Sequence, residues 1–148
     1  MKILKYAVIA LVVLVLLGVG AFAFLGMQSR GGSALGLVDG RLADCPSSPN
    51  CVSSETGTVA EKRVEPLPLD AWASLPEVIV DMGGELTVQD ATYIAAEFTS
   101  STFGFVDDLE FRLTESDIQV RSASRVGHSD AGVNAERVSD LRAKIANE

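Results

Sequence analysis

The sequence predicts an α+β fold: an N-terminal helix, then a two-layer domain in which helices pack on an antiparallel sheet of four to five strands. Three patterns lead to this prediction: an apolar run at the start of the chain, a period of two from residue 86 onward, and a helical period near the end. We divide the 148 residues into a transmembrane anchor or signal sequence (1–26), a flexible linker (27–41) and an α+β domain of unknown function (42–148).

The first segment is predicted to cross a membrane. Lys2 and Lys5 precede twenty apolar residues at 6–25, and a helix of that length is about 30 Å long, the thickness of the hydrocarbon core. The two lysines favour a cytoplasmic N-terminus, so we expect a single-pass protein of the inner (cytoplasmic) membrane with its C-terminal domain in the periplasm or outside. The alternative is a cleaved signal peptide, because an Ala-Phe-Ala tripeptide at 21–23 fits signal peptidase.

The charge of the exported part restricts its partners. Without Lys2 and Lys5, ten Lys and Arg remain against twenty Asp and Glu, a formal charge of −10. Such a surface repels nucleic acid and anionic headgroups at long range. We therefore predict no nucleic-acid partner, membrane contact through the N-terminal helix, and an unknown envelope protein or small ligand as the remaining partner.

Cys45 and Cys51 are the only cysteines, and five residues separate them in CPSSPNC. In an exported domain such a pair is predicted to form a structural disulfide, with a redox pair or a metal site as the alternatives. His128, the only histidine, is the one further nitrogen or sulfur ligand of the zinc type. We predict no metal site and no cofactor.

A helix is predicted after residue 69, where Asp70 can cap it and Gly83-Gly84 ends it. Pro76 either kinks this helix or divides a short first turn from a second helix. The apolar residues at helical spacing are Trp72, Leu75, Val78, Ile79 and Met82.

Five segments then alternate apolar with polar or small residues: ELTVQ, TYIAAEFTS, STFGFVDD, LEFRLT and DIQVRSAS. Their short connections require antiparallel neighbours, so we predict a meander of about four strands. In LEFRLT, the residues Leu109, Phe111 and Leu113 should face the core, while Glu110 and Arg112 should face water.

The last predicted element is a helix in NAERVSDLRAKIANE. Asn134 is the expected N-cap. Val138, Leu141 and Ile145 form one apolar stripe, which should cover the sheet.

Three long stretches, LADCPSSPNCVSS, YIAAEFTSSTFGFVDDLEFRL and VRSASRVGHSDAGVNAERV, occur in an order that resembles the bacterial family known as domain of unknown function 1499. The resemblance spans about residues 42 to 145 and implies no activity, cofactor or substrate. The positions that match the family's motifs are Cys45, Pro46, Ser48, Pro49, Asn50, Cys51, Phe105, Val106, Asp107, Asp108, Arg121, Ser122, Ser124, Arg125, Gly127, Ser129, Asp130, Gly132 and Asn134.

The segment RVGHSDAGVN, residues 125–134, gathers most of the candidate site residues. In the structural interpretation, Gly127 and Gly132 permit a tight connection, and Ser129 and Asp130 bind backbone amides within it. Arg121 and Arg125 would pair with Asp107, Asp108 or Asp130. We assign Asp107 and Asp108 a turn or cap role, because adjacent residues on a strand point to opposite faces and do not form a glycosidase pair.

In the functional interpretation, the same region binds an anion. Arg121 and Arg125 form a local positive site suited to a carboxylate or phosphate at the start of the last helix. The candidate ligand-binding residues are Arg121, Ser122, Ser124, Arg125, His128, Ser129, Asp130 and Asn134.

We expect a membrane-tethered, non-enzymatic envelope domain that binds a small anionic or lipid-like ligand or a partner protein. The alternative is a small envelope hydrolase using His128. The family resemblance counts against it, since Tyr is a frequent alternative at that position and the two side chains differ by about 3.5 pKa units. Arginine heads facing an open concavity would favour binding, whereas heads buried against aspartates would count against both the binding site and the hydrolase.

Overall fold

The computed structural model describes residues 2–147 and has the predicted α+β architecture. A long N-terminal helix precedes a two-stranded sheet and a six-stranded antiparallel sheet covered by helices. The elements are α1 (Lys2–Ser29), β1 (Leu37–Val38), β2 (Arg41–Leu42), β3 (Cys51–Ser53), a 3₁₀ turn (Ala60–Lys62), β4 (Leu67–Pro68), a 3₁₀ turn (Leu69–Ala73), α2 (Leu75–Asp81), β5 (Glu85–Gln89), β6 (Tyr93–Thr99), β7 (Val106–Leu113), β8 (Asp117–Ser124) and α3 (Val133–Ile145).

Helix α1 is long and apolar enough to cross a membrane, with a mean hydropathy of 3.0 over its most apolar window. The side chains of residues 2–24 are exposed. Gly26 and Ser29, in its last turns, are buried against the domain. A helix that is apolar on all sides and exposed in this way is typical of a membrane span or of a signal sequence.

The main sheet has the strand order β3-β8-β7-β6-β5, and β4 also pairs with β8. Strands β5 to β8 form the predicted meander. The sheet has six strands where four to five were predicted, because β3 and β4 are only three and two residues long. Strands that short carry no recognisable alternation.

Strand β7 corrects one sequence prediction. STFGFVDD and LEFRLT were predicted as separate strands with Asp107 and Asp108 in a turn or cap. Val106–Leu113 is instead one continuous strand, and residues 101–103 form the turn that precedes it. The two aspartates belong to the sheet, where they are in register with residues of β6 and β8, and the side chain of each pairs with an arginine, as described below.

The core lies between the sheet and the helices α2 and α3. Leu109, Phe111 and Val120 of the sheet are fully buried, and so are Ile79 of α2 and Leu141 of α3. Pro76 lies in the first turn of α2, where its missing N–H leaves no hydrogen bond unmade. The region therefore divides at Ser74 into a 3₁₀ turn and a helix, the second of the two predicted alternatives.

The opposite face of the sheet is covered by chain that the sequence analysis assigned to a flexible linker. Within 27–41, the N–H of Gly36 donates to Glu110 Oε1 at 2.9 Å. Immediately after it, Leu42 is buried beside Tyr93 and donates its N–H to Glu55 Oε1 at 3.1 Å. The prediction that Glu110 faces water was wrong: it is 0% exposed, because this segment forms a second covering layer.

Candidate functional site

The guanidinium of Arg125 is held by acids. Its Nε and Nη2 donate to the two oxygens of Asp108 at 2.9 and 2.6 Å, and Nη2 also donates to Glu97. The Arg125 side chain is 6% exposed. Hydrogen bonding to Asp108 raises the pKa of Arg125, and Glu97 adds to the rise against the opposing effect of burial. This arginine is therefore a fixed cation of the fold.

Arg121 is held in the same way on the same face of the sheet. Its Nη1 donates to Glu110 Oε2 at 2.7 Å, and the hydroxyl of Tyr93 donates to Glu110 Oε1 at 2.7 Å. Burial, together with the neighbouring Glu110 carboxylate, raises the pKa of Tyr93. Arg121, Glu110 and Tyr93 thus form a buried polar cluster beneath residues 34–42.

These contacts count against the anion-binding interpretation. A carboxylate or phosphate ligand needs accessible guanidinium groups whose charge is not already paired, whereas Arg121 is buried against Glu110 and Arg125 is held by Asp108. The structural interpretation predicted that both arginines pair with Asp107, Asp108 or Asp130, which is wrong for Arg121. Arg125 does so with a predicted partner, Asp108, whereas Arg121 pairs with an acid that the sequence analysis placed in water.

Asp107 and Asp108 point to opposite faces of β7. Asp107 accepts from Arg137 of α3 at 2.8 Å on the core side, while Asp108 faces Arg125 on the other. Their expected turn or cap role was wrong, but the expectation that they form no joint acid pair was right. Arg137 itself lies over the ring of Phe98, 4.7 Å from its centroid, and ties α3 to the sheet.

The start of α3 differs from the prediction. Asn134 was expected as the N-cap, but Gly132, with φ of 87°, precedes the helix and Asn134 lies within its first turn. Asp130 provides the cap, since its carboxylate accepts the N–H groups of Gly132 and Asn134 at 3.0 and 2.9 Å. Burial raises the pKa of Asp130, but these hydrogen bonds outweigh it, so the pKa is lowered overall.

Buried Asn134 instead joins three segments. It accepts from Ser122 Oγ at 2.6 Å, and its Nδ2 donates to Ser124 Oγ at 3.0 Å and to the carbonyl of Asn50 at 3.3 Å. Asn50 in turn donates to the carbonyl of Gly127 at 2.9 Å. The loop after β8 is therefore fixed from both sides.

Cys45 and Cys51 form the predicted disulfide, with their Cα atoms 5.6 Å apart. Cys51 begins β3, which pairs with β8 next to the loop at 125–132. The disulfide closes the short segment that carries Asn50, and it thereby supports the position of Asn50 under that loop.

His128 lies exposed on the same loop. A catalytic triad would need Asp130 to orient the imidazole and a serine within its reach. The Asp130 oxygens instead bind Gly132 and Asn134, while Ser129 Oγ accepts the N–H of Ala131 at 3.2 Å. Both groups serve the turn, as the structural interpretation predicted.

A groove of about 530 Å³ opens between this loop and the end of α1. Four predicted ligand-binding residues line it, Ser124, His128, Ser129 and Asp130. Arg121, Ser122, Arg125 and Asn134 are not among its lining residues within 2–147. Its apolar lining consists of Phe22, Leu25, Phe105, Val106, Val126, Ala131 and Val133.

Sequence reasoning missed this apolar lining. Phe22 and Leu25 were assigned entirely to the membrane segment, and nothing local indicates that the domain folds back against them. Val126 and Val133 gave a weak signal, because they are apolar side chains inside a polar, turn-forming motif. Val133 lines the groove and is 43% exposed, whereas an apolar side chain of the core would be buried.

Comparison with known proteins agrees with the motifs. Residues 41–145 match the sequence model of a family described as a protein of unknown function, DUF1499. The chain belongs to this family. The DUF1499 match includes the disulfide, the arginine-acid pairs and the loop at 125–134, whereas Phe22 and Leu25 lie before it. No curated protein and no solved structure matches the chain.

Proposed function

We propose that this DUF1499 protein is a membrane-tethered, non-enzymatic domain of the cell envelope that binds a lipid-like ligand in the groove. The observation that carries the proposal is the composition of the groove wall. Phe22 and Leu25 belong to the helix that is long enough to span a bilayer, and Val126 and Val133 belong to the domain. A groove built from both opens at the level where acyl chains begin.

The proposed topology follows from the N-terminal segment. Lys2 and Lys5 stay in the cytoplasm, α1 crosses the inner membrane, and the domain lies outside. The disulfide between Cys45 and Cys51 supports an oxidising compartment. A contact of α1 with the domain supports an uncleaved anchor, because the ring of Phe22, which cleavage after residue 23 would remove, stacks on the ring of Phe103 with centroids 5.5 Å apart.

The lining of the groove favours a lipid over a small anion. Arg121 is paired with Glu110 and Arg125 with Asp108, so neither of these two cations is free to neutralise an anion. The apolar side chains can instead bury an acyl chain, at about 0.8 kcal/mol per methylene group. His128 and Ser129 lie on the polar part of the lining, where they can contact a headgroup or glycerol oxygen.

The test is photocrosslinking in lipid nanodiscs that contain phosphatidylethanolamine with a diazirine on one acyl chain. We expect adducts on Val126 and Val133, mapped by mass spectrometry of the full-length chain. Val126→Glu places a charge in the groove and should abolish them. Val80→Glu is the matched control, since Val80 is 54% exposed on α2 and does not line the groove. Equal labelling of Val133 in both variants would contradict the proposal. So would the absence of labelling at Val133 in wild type and in both variants.

A further inference from the structure

A short loop, Ser100–Phe105, lies against the last turns of α1, and we call it the aromatic loop. Its backbone approaches the helix closely: a Cβ atom on Gly26 would lie 2.0 Å from the carbonyl oxygen of Phe103, so glycine is required there. Arg30 holds the loop from the other side, because Nε donates to the Gly104 carbonyl at 3.3 Å and Nη2 to that of Phe103 at 3.4 Å.

Three rings pack together where the aromatic loop meets α1. Phe22 stacks on Phe103 with centroids 5.5 Å apart, and Phe105 meets each of them edge-on at 6.3 Å. Ring pairs at these distances and angles attract each other beyond simple area burial. The loop is therefore fixed to the helix by side chains as well as by backbone.

The direction of the Phe103 side chain determines the level along α1 at which its ring lies. Its carbonyl lies beside Gly26, but its ring lies beside Phe22, which is one helical turn or about 6 Å nearer the N-terminus. The ring thus points back along α1 into the level of the apolar run, which ends at Leu25. Arg30 lies five residues beyond Leu25, about 7 Å above that end, at the height of lipid headgroups.

We propose that the aromatic loop is a second membrane contact, in which Phe103 inserts into the outward-facing edge of the bilayer beside α1. The partner is the lipid surface itself. Apolar side chains of interfacial segments reach about 5 to 10 Å into this layer, which agrees with the depth given by Phe22. The proposal rests on the membrane anchoring proposed above, but it requires no ligand in the groove.

Insertion of the aromatic loop would fix the orientation of the domain on the membrane. A domain attached by a single helix is free to tilt relative to the membrane, whereas a domain attached by a helix and a loop has a fixed orientation. Because Phe105 also lines the groove, this orientation turns the groove toward the surrounding lipid.

Tryptophan fluorescence in nanodiscs tests the insertion. In a Trp72→Phe background, which removes the only native tryptophan, Phe103→Trp should emit at shorter wavelength and lose emission to lipids brominated near the carbonyl end of the acyl chain. Leu14→Trp, in the middle of α1, should be quenched by lipids brominated deep in the chain. Glu115→Trp, at the exposed turn between β7 and β8, should be quenched by neither.

Each outcome has a separate meaning. Quenching of Phe103→Trp no greater than that of Glu115→Trp, with Leu14→Trp quenched, would overturn the insertion while leaving the anchor intact. Loss of quenching at Leu14→Trp would overturn the anchor and the insertion together.

Photolabelling of proteins that keep Phe103 gives a second measurement. The diazirine lipid should label Phe103 in wild type and also in Val126→Glu, where the groove is blocked. Absence of Phe103 adducts in wild type would contradict the insertion even if the groove is labelled.

Discussion

Arg125 and Asp108 form a two-pronged ion pair, with Nε and Nη2 of the arginine 2.9 and 2.6 Å from the two carboxylate oxygens. Both side chains are 6% exposed. The remaining nitrogen, Nη1, donates to the carbonyl of Ser29 at 3.3 Å. One guanidinium thus joins β7, β8 and the end of α1, so the pair fixes the helix to the sheet beside the groove.

Replacing Arg125 by methionine should destabilise the domain by about 3 to 5 kcal/mol, because it leaves the buried carboxylate of Asp108 without a partner. Urea unfolding followed by the fluorescence of Trp72, which packs on the core, measures this. Lys144→Ala on the exposed side of α3 should change stability by less than about 0.5 kcal/mol. An Arg125→Met protein as stable as Lys144→Ala would refute the structural role of the pair.

Asp130 should make stability depend on pH. Its pKa is lower in the folded protein than the ordinary value of 3.8. The stabilisation is therefore fully present above that value and is lost as the pH falls through the lower folded-state pKa. Asp130→Asn should cost about 0.3 to 1 kcal/mol at pH 7, because the amide keeps one acceptor oxygen but loses the negative charge at the N-terminus of α3, and the gap to wild type should narrow at pH 3. A gap that stays constant or widens toward acid would show that the carboxylate charge is not what caps α3.

His128 is predicted to line the groove without transferring a proton. His128→Tyr should keep the thermal midpoint of wild type, because the side chain is exposed, and it should keep the acyl-chain adducts on Val126. The same protein should rescue the phenotype of a gene deletion. Loss of rescue with an unchanged midpoint and unchanged membrane location would mean that the imidazole has a chemical role.

The N-terminal helix is predicted to stay attached. Carbonate washing of membranes should leave the full-length chain in the pellet, because twenty apolar residues span the hydrocarbon core. A soluble species beginning near Phe24 would show that the segment is a signal peptide. The groove would then lose Phe22, and the membrane-level site would not exist.

The sequence predicted the elements that are marked by a local pattern of residues. The meander, α3 and the disulfide follow from alternation, an apolar stripe and the isolated pair Cys45 and Cys51. The division of the region around Pro76 into a short turn and a helix was one of two alternatives, and local chemistry could not choose between them. Such features depend on a few neighbouring residues, so a single sequence suffices.

Glu110 shows why the second face of the sheet could not be predicted. Its neighbours alternate as in a sheet with one side in water, and the chain that covers it is rich in glycine and serine, a composition typical of linkers. One signal was present: the hairpin at Glu115-Ser116-Asp117 sets a register that places Glu110 opposite Arg121. An acid and a base facing each other in this way indicate a buried pair only once a covering layer is known.

The groove was missed for a related reason. Phe22 and Val126 are more than a hundred positions apart, and no local pattern indicates that the apolar helix α1 forms one wall of a groove on the domain. In the polar motif at 125–134, Arg125 and His128 were predicted to bind a ligand. The arginine is bound to Asp108, and the side chains that shape the groove are mainly the apolar ones.

The most direct test of the central claim, that the groove holds a lipid, is native mass spectrometry of the full-length protein released from its own membranes in mild detergent. Wild type and Val80→Glu should each retain a phospholipid-mass adduct at collision energies that strip detergent, and Val126→Glu should lose it. If all three proteins emerge without lipid, or if Val126→Glu retains the adduct as firmly as wild type, the groove is not a lipid site and the proposed function is wrong.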